Sequence, residues 1–109
     1  MIDLLNEIIE NITNKYKKEI KEIILYGSYA KGTQKEDSDI DILVLFKNKL
    51  STIPDMLFAG DLYDMFKDKY NKKIHVVFEK YYFYVNKCED FYKDVPNYGK
   101  ILYQEKLKL

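Results

Sequence analysis

The sequence predicts an α/β (α+β) fold: a small mixed β-sheet with helices packed on it. Three observations carry this prediction. Hydrophobic periodicity alternates along the chain between helical and extended stretches, in the order helix, strand, glycine-bounded turn, strand, helix, strand, helix. Three strand-length apolar runs end at glycine, turn or charged residues. The chain has 109 residues, 47% of them hydrophobic and 16% aromatic, which suits one domain with a real core and leaves no room for a second. The expectation is therefore a single domain over residues 1–109.

Leu4, Leu5, Ile8, Ile9, Ile12, Tyr16 and Ile20 recur at helical spacing, with Glu7, Glu10, Asn11, Lys15 and Lys18 between them. This predicts an amphipathic first helix capped by Asp3. Glu22 to Tyr26 is an apolar run stopped by Gly27, hence a buried strand. Gly27 to Gly32 is long enough for one helical turn, and polar Thr33 to Ser38 reads as a loop. Asp39 to Phe46 is a second strand, with Asp39 and Asp41 ahead of an apolar run. After a turn at Lys47–Thr52, Pro54 sits where a first-turn proline is tolerated. Leu57, Phe58, Leu62, Met65 and Phe66 then form a helical stripe up to about Tyr70, weakened slightly by Gly60. Ile74 to Glu79 is a third strand. Tyr81 to Tyr92 reads as another helix with Phe83, Val85, Cys88 and Phe91 as burial candidates. Pro96–Gly99 breaks the chain, and Lys100–Tyr103 is a closing element of open type. No repeats, low-complexity tracts or inter-domain linkers interrupt this order.

Charge excludes several classes. Eighteen lysines and no arginine balance eighteen acidic residues, so formal net charge is zero. That argues against a strongly basic nucleic-acid binder, and direct nucleic-acid binding is not expected. The single cysteine, Cys88, forms no internal disulfide and no Cys-rich zinc module; it reads as a buried helical thiol and suits a reducing cytoplasm. No secretory signal is visible at Met1-Ile2-Asp3, and no apolar run approaches the roughly 20 residues that span a bilayer. A cytoplasmic location without membrane insertion is expected.

The chemistry concentrates between Gly27 and Val44. Asp39 and Asp41 are two apart on a strand, so they share a face with Cα atoms about 6.5–7 Å apart. Carboxylates that close repel unless a cation or protons intervene. Such a pair suits a hard divalent ion, above all Mg²⁺ bridged to phosphate oxygens. At the other end, Gly27-Ser28 follows a strand and opens a helical turn. Glycine lets a phosphate approach the backbone, where N–H groups and the Ser28 hydroxyl can bond its oxygens. Each half alone is more often structural: a Gly-Ser pair is usually a turn, and a lone Asp-x-Asp is often a cap. Together, one short loop apart and flanked by buried strands, they are a phosphoryl- or nucleotidyl-transfer arrangement.

Gly-Ser-x-Ala-x-Gly, then six residues, then Asp-x-Asp before an apolar strand resembles the signature of the DNA polymerase beta-like nucleotidyltransferase superfamily. The shortness of the chain resembles its minimal nucleotidyltransferase branch. Nearly the whole chain is covered, since helix, strand, motif, strand, helix and strand follow in the family order. Gly99 to Tyr103 is also similar to how such domains close. The resemblance implies an NTP donor, most simply ATP, and Mg²⁺ held by carboxylates. Gly27 and Ser28 would then bind donor phosphates, and Asp39 and Asp41 would hold metal. Lys31 stands where many relatives carry arginine; it would help hold the nucleotide, or else be a solvated loop lysine. The minimal branch further implies a toxin–antitoxin setting, with a helical HEPN-type ribonuclease as partner and a tyrosine of that partner as acceptor.

One position departs from the pattern. The family's next core strand carries a third carboxylate, and here that strand reads Lys73-Ile74-His75-Val76-Val77. His75 stands in the expected place. Imidazole is a poor Mg²⁺ ligand and a fair Mn²⁺ ligand, and it is also a base for an acceptor hydroxyl. The third alternative is a harmless replacement in a domain that no longer catalyses. Glu79 lies four residues on, about 13 Å along the strand, too far to substitute. These alternatives leave open a Mg²⁺-dependent nucleotidyltransferase, an antitoxin that works by occlusion, and a nucleotide-sensing module that binds NTP and transfers nothing. Ser38 reads as a structural cap of the aspartate strand. The tyrosine-rich C-terminal third reads mostly as core, with any exposed part a partner surface.

Overall fold

A computed structural model describes residues 1–106, apart from the side chains of 87–91. Helix α1 (Ile2–Tyr16) and a 3₁₀ turn (Lys17–Glu19) lead into strand β1 (Ile20–Tyr26). The one-turn helix α2 (Ser28–Lys31) and a loop precede β2 (Ile40–Phe46). Then follow α3 (Ile53–Tyr70), β3 (Ile74–Lys80), α4 (Tyr81–Phe91), the one-turn α5 (Val95–Tyr98) and β4 (Lys100–Gln104).

The four strands form one mixed sheet in the order β3-β2-β1-β4. Strand β1 runs antiparallel to both β2 and β4, whereas β2 and β3 are parallel. The parallel pair is joined through α3, the long crossover that such a pair requires. The central strand β2 is covered on both faces: Ile42 to Phe46 are all fully buried. That is why its sequence reads as a continuous apolar run rather than an alternation.

Alternation sorts the sheet into two cores. Ile23, Leu25, Ile40, Ile42, Val44, Ile74, Val76 and Phe78 pack with α1 and α3 residues such as Ile8, Ile12, Leu62 and Phe66. Ile24, Leu43 and Leu45 face the other way, against Val95 and the flanking Tyr81, Tyr84 and Tyr92. Tyr16 anchors the first core with edge-on contacts to Phe46, Phe58 and Phe78, their ring centroids 5.0–5.6 Å away. Its hydroxyl donates to Asp55 Oδ1 at 2.7 Å. Asp55 also accepts from the Thr52 backbone N–H at 2.8 Å and pairs with Lys49. These bonds start α3 and fasten it to α1.

Several details differ from the sequence reading. Met1, not Asp3, is the N-cap of α1, and Asp3 lies in the first turn where its charge still suits the helix dipole. Ile20 begins β1 instead of ending the helix, because Lys17 at φ 51° turns the chain. On α3 only Leu62 and Phe66 of the predicted stripe are buried, while Leu57 and Met65 are exposed, because the helix meets the sheet along a single seam. Val85 is exposed as well. The burial expected for Cys88 and Phe91 lies outside the described side chains. Pro96 does not interrupt structure; it sits in the first turn of α5, where its missing N–H costs nothing. The closing element is a strand, paired with β1. Among the described residues no helix is long and apolar enough to cross a membrane.

Candidate functional site

The end of β1 and the starts of β2 and β3 meet at one edge of the sheet. Chain reversal after β1 falls on Gly27, whose φ of 71° and ψ of −155° suit glycine alone. The N–H groups of Ala30 and Lys31 both donate to Gly27 O at 3.1 Å, and Thr33 N–H closes the turn on Ser28 O at 3.0 Å. The N–H groups of Ser28 and Tyr29 open this turn and have no acceptor within it. The half-buried Ser28 stands beside them.

Loop 33–38 delivers the aspartates. The Lys35 N–H donates to Ser38 Oγ at 2.8 Å and Ser38 N–H returns to Lys35 O at 3.1 Å, so Ser38 ties the loop just before β2. Ile40 is fully buried, which turns Asp39 and Asp41 to the opposite face. Asp39 is exposed and Asp41 is half-buried.

Asp41 is the centre of the constellation. It pairs in register with Tyr26 of β1 and with His75 of β3. His75 Nδ1 lies 3.5 Å from Asp41 Oδ1, with the imidazole well exposed. The register thus places His75 directly opposite Asp41. Burial raises the Asp41 carboxyl above its usual range; His75 opposes the rise and the Asp39 charge adds to it. Burial, with the Asp41 charge in support, pushes the Tyr26 phenol up to about 12. Gly27 packs against the same carboxylate: a β-carbon there would overlap Asp41 Oδ2 and stand 3.1 Å from Cγ.

The donor set fits a hard cation. β2 starts at Ile40, one residue later than the sequence predicts, so Asp39 stands just before the strand and Asp41 on it; two such carboxylates, with water and phosphate oxygens for the other positions, match the way Mg²⁺ is held. Partial burial raises the Asp41 carboxyl, and a cation beside it would oppose that rise. Among the described residues no three such side chains converge into a complete ligand cage.

Lys31 is exposed and engaged by exposed partners. Its ammonium donates to Asp94 Oδ2 at 2.9 Å and lies 5.3 Å from the centroid of Tyr98. Glu79 accepts from the Tyr92 hydroxyl at 3.0 Å and stands in register with Leu45, away from Asp41. Sequence reasoning missed Tyr26, the Gly27–Asp41 contact and the Lys31–Asp94 pair. The first two had a faint signal in the aromatic-glycine step after an apolar run; the third spans 63 residues and had none.

A family model described as polymerase beta, nucleotidyltransferase, matches residues 6–107. A candidate protein adenylyltransferase of Methanocaldococcus jannaschii is 33% identical over 100 residues, covering 91% of this chain and 94% of that protein. A crystal structure of a toxin–antitoxin with AMP-PNP contains a chain of similar fold, with TM-score 0.62 and 24% identity over 94% of this chain and 74% of that one. The structure of tri-AMPylated Shewanella oneidensis HEPN toxin in complex with MNT antitoxin gives TM-score 0.55 at 21% identity, covering 96% of this chain and 74% of the other. Those two likenesses are of fold.

Proposed function

Because the chain belongs to the polymerase beta nucleotidyltransferase family, we propose that it transfers AMP from ATP to a protein hydroxyl. The acceptor is a tyrosine of a HEPN-type toxin, and the protein acts in the cytoplasm as its antitoxin, as one minimal domain spanning residues 1–109. The single observation that carries this reading is the position of Asp41, set between His75 on β3 and Gly27 just past the end of β1. Relatives named as protein adenylyltransferases and a similar fold solved in complex with an AMPylated toxin support the choice of donor and acceptor.

Asp39 and Asp41 would hold Mg²⁺, with Mn²⁺ favoured if His75 joins them. When bound, the ion neutralises charge on the donor phosphates. Gly27 and Ser28 seat those phosphates through backbone N–H groups and a hydroxyl. His75 takes the proton from the acceptor hydroxyl as its oxygen bonds the α-phosphorus and the bond to the pyrophosphate oxygen breaks. Asp41, on the Nδ1 side of the ring, leaves Nε2 free for that proton. Lys31 steadies the nucleotide once released from Asp94.

The test is incorporation of labelled AMP from ATP into a co-expressed HEPN partner. Wild type should label and Asp39→Ala/Asp41→Ala should not. Equal labelling by both, or none by wild type with Mg²⁺ or Mn²⁺ across several NTPs, would remove the enzyme reading. One observation favours a second reading, an antitoxin that works by occlusion: imidazole stands where a third carboxylate would complete the cage. Neutralisation that survives the double alanine change would select it.

A further inference from the structure

The sheet is open along β3, the outermost strand beside β2. A groove of about 440 Å³ runs between that edge and α3, lined by Met56, Gly60 and Tyr63 on one side and residues 74–78 on the other, His75 included. Ile40 N–H bonds Lys73 O at 2.8 Å and Ile40 pairs with Ile74. In a parallel ladder this turns the peptide groups of His75 and Val77 toward β2, and those of Ile74, Val76 and Phe78 toward the open edge. Met56 is 66% and Tyr63 38% exposed. A β-carbon on Gly60 would meet nothing within 4 Å, so the missing side chain keeps the groove open. An unpaired strand edge is a template for another strand, and apolar pockets beside it select alternate side chains.

We propose that this groove seats an extended segment of the protein acceptor, added as a strand beside β3, with apolar side chains at alternate positions against Met56, Gly60 and Tyr63. The proposal rests on the transfer reading and deepens it by naming the acceptor's form. Continuity with the site identifies the occupant. His75 lines the groove and turns its ring to Asp41 on the face of the sheet opposite α3, so a strand paired along this edge sends alternate side chains into the groove and the hydroxyl between them to the base. Residues 74–78 span about 13 Å, enough for a five-residue strand.

The probe is a set of nonapeptides with a central tyrosine. One member carries valine or isoleucine immediately to either side of it, the positions that face the groove when the tyrosine faces His75; its counterpart carries glutamate or lysine there. Wild type should transfer labelled AMP to the apolar member roughly tenfold faster, a difference of about 1.4 kcal/mol in barrier. Gly60→Met fills the groove while improving helix propensity. It should reduce both peptides to the slower rate with ATP binding unchanged. Independently of catalysis, the apolar peptide should slow amide exchange at Val76 and Phe78 in the Asp39→Ala/Asp41→Ala protein, with β4 unaffected. Protection without transfer in wild type supports the groove and removes the transfer reading. Transfer that ignores the flanking residues, or a preference for the apolar member that survives Gly60→Met, overturns the groove proposal, as does absence of protection. A concentration-dependent dimer that protects the same amides without peptide gives the edge to a second copy and also overturns it.

Discussion

The carboxylate of Asp41 lies against the α-carbon of Gly27, so a side chain on the glycine and the carboxylate would compete for one space. A strand end and a strand start are thereby locked together at the point where phosphate and metal chemistry would meet.

Gly27→Ala should therefore damage function more than fold. The positive φ costs about 1–3 kcal/mol for a non-glycine residue, and the new methyl also displaces Asp41. A shift of this kind lowers transfer by roughly 100-fold. Gly32→Ala is the control: it shares the positive φ but its β-carbon meets nothing, so it should lower the thermal midpoint and leave transfer intact. Thermal unfolding and AMP labelling of the two variants separate the effects.

His75 lies opposite Asp41 and exposes its ring to solvent. If it is the working base, His75→Asp and His75→Gln should each lower the transfer rate by about 10²–10⁴-fold while ATP binding persists. A rise in Mg²⁺-dependent labelling with His75→Asp would show instead that it is a lapsed metal ligand.

Asp55 should set the acid limit of the fold. It is only 3% exposed. Burial alone would raise its pKa, but bonds from Lys49, Tyr16 and Thr52 outweigh that and hold it at about 2, below the usual 3.8. A depressed carboxylate pKa stabilises above the unfolded value, and that stability is lost as pH falls from about 4 toward 2. The contribution is about 2 kcal/mol, from roughly 1.4 kcal/mol per pKa unit. Asp55→Asn should destabilise at neutral pH by about 2–4 kcal/mol, because it leaves the Lys49 charge unpaired. It should also flatten the fall in stability below pH 4. Urea unfolding from pH 2 to pH 7 checks both.

Lys31 is held by Asp94 and Tyr98 in the free protein. Asp94→Asn should release it, tightening ATP binding about two- to fivefold with little change in thermal midpoint, because exposed ion pairs stabilise little. Lys31→Met should weaken ATP binding in both backgrounds. Titration of ATP by calorimetry distinguishes these outcomes.

Helix α3 shows how far periodicity reaches. Its place in the chain followed from Pro54 and the spacing of Leu62 and Phe66, which are fully buried. Leu57 and Met65 obey the same spacing and are exposed. Apolar periodicity marks a side of a helix; the width of the buried stripe depends on how closely the sheet approaches. The α3 wall of the groove beside β3 is made instead by Met56, Gly60 and Tyr63, which lie outside the predicted stripe. Thr52-x-x-Asp55 is a capping-box pattern that the sequence reading passed over, but the bond from Tyr16 to Asp55, 39 residues away, carried no local signal.

Local rules were enough for the strands, the glycine turn and the shared face of Asp39 and Asp41, because a period of two and a glycine-only backbone are properties of neighbouring residues. Tertiary structure decided which groups those aspartates meet. His75 comes opposite Asp41 only through the parallel pairing of β2 and β3, Gly27 touches Asp41 only through the antiparallel pairing of β1 and β2, and Lys31 meets Asp94 only through the return of the chain after α4. Such contacts join residues 14 to 63 positions apart. Their energies depend on register and burial, which only the assembled sheet supplies.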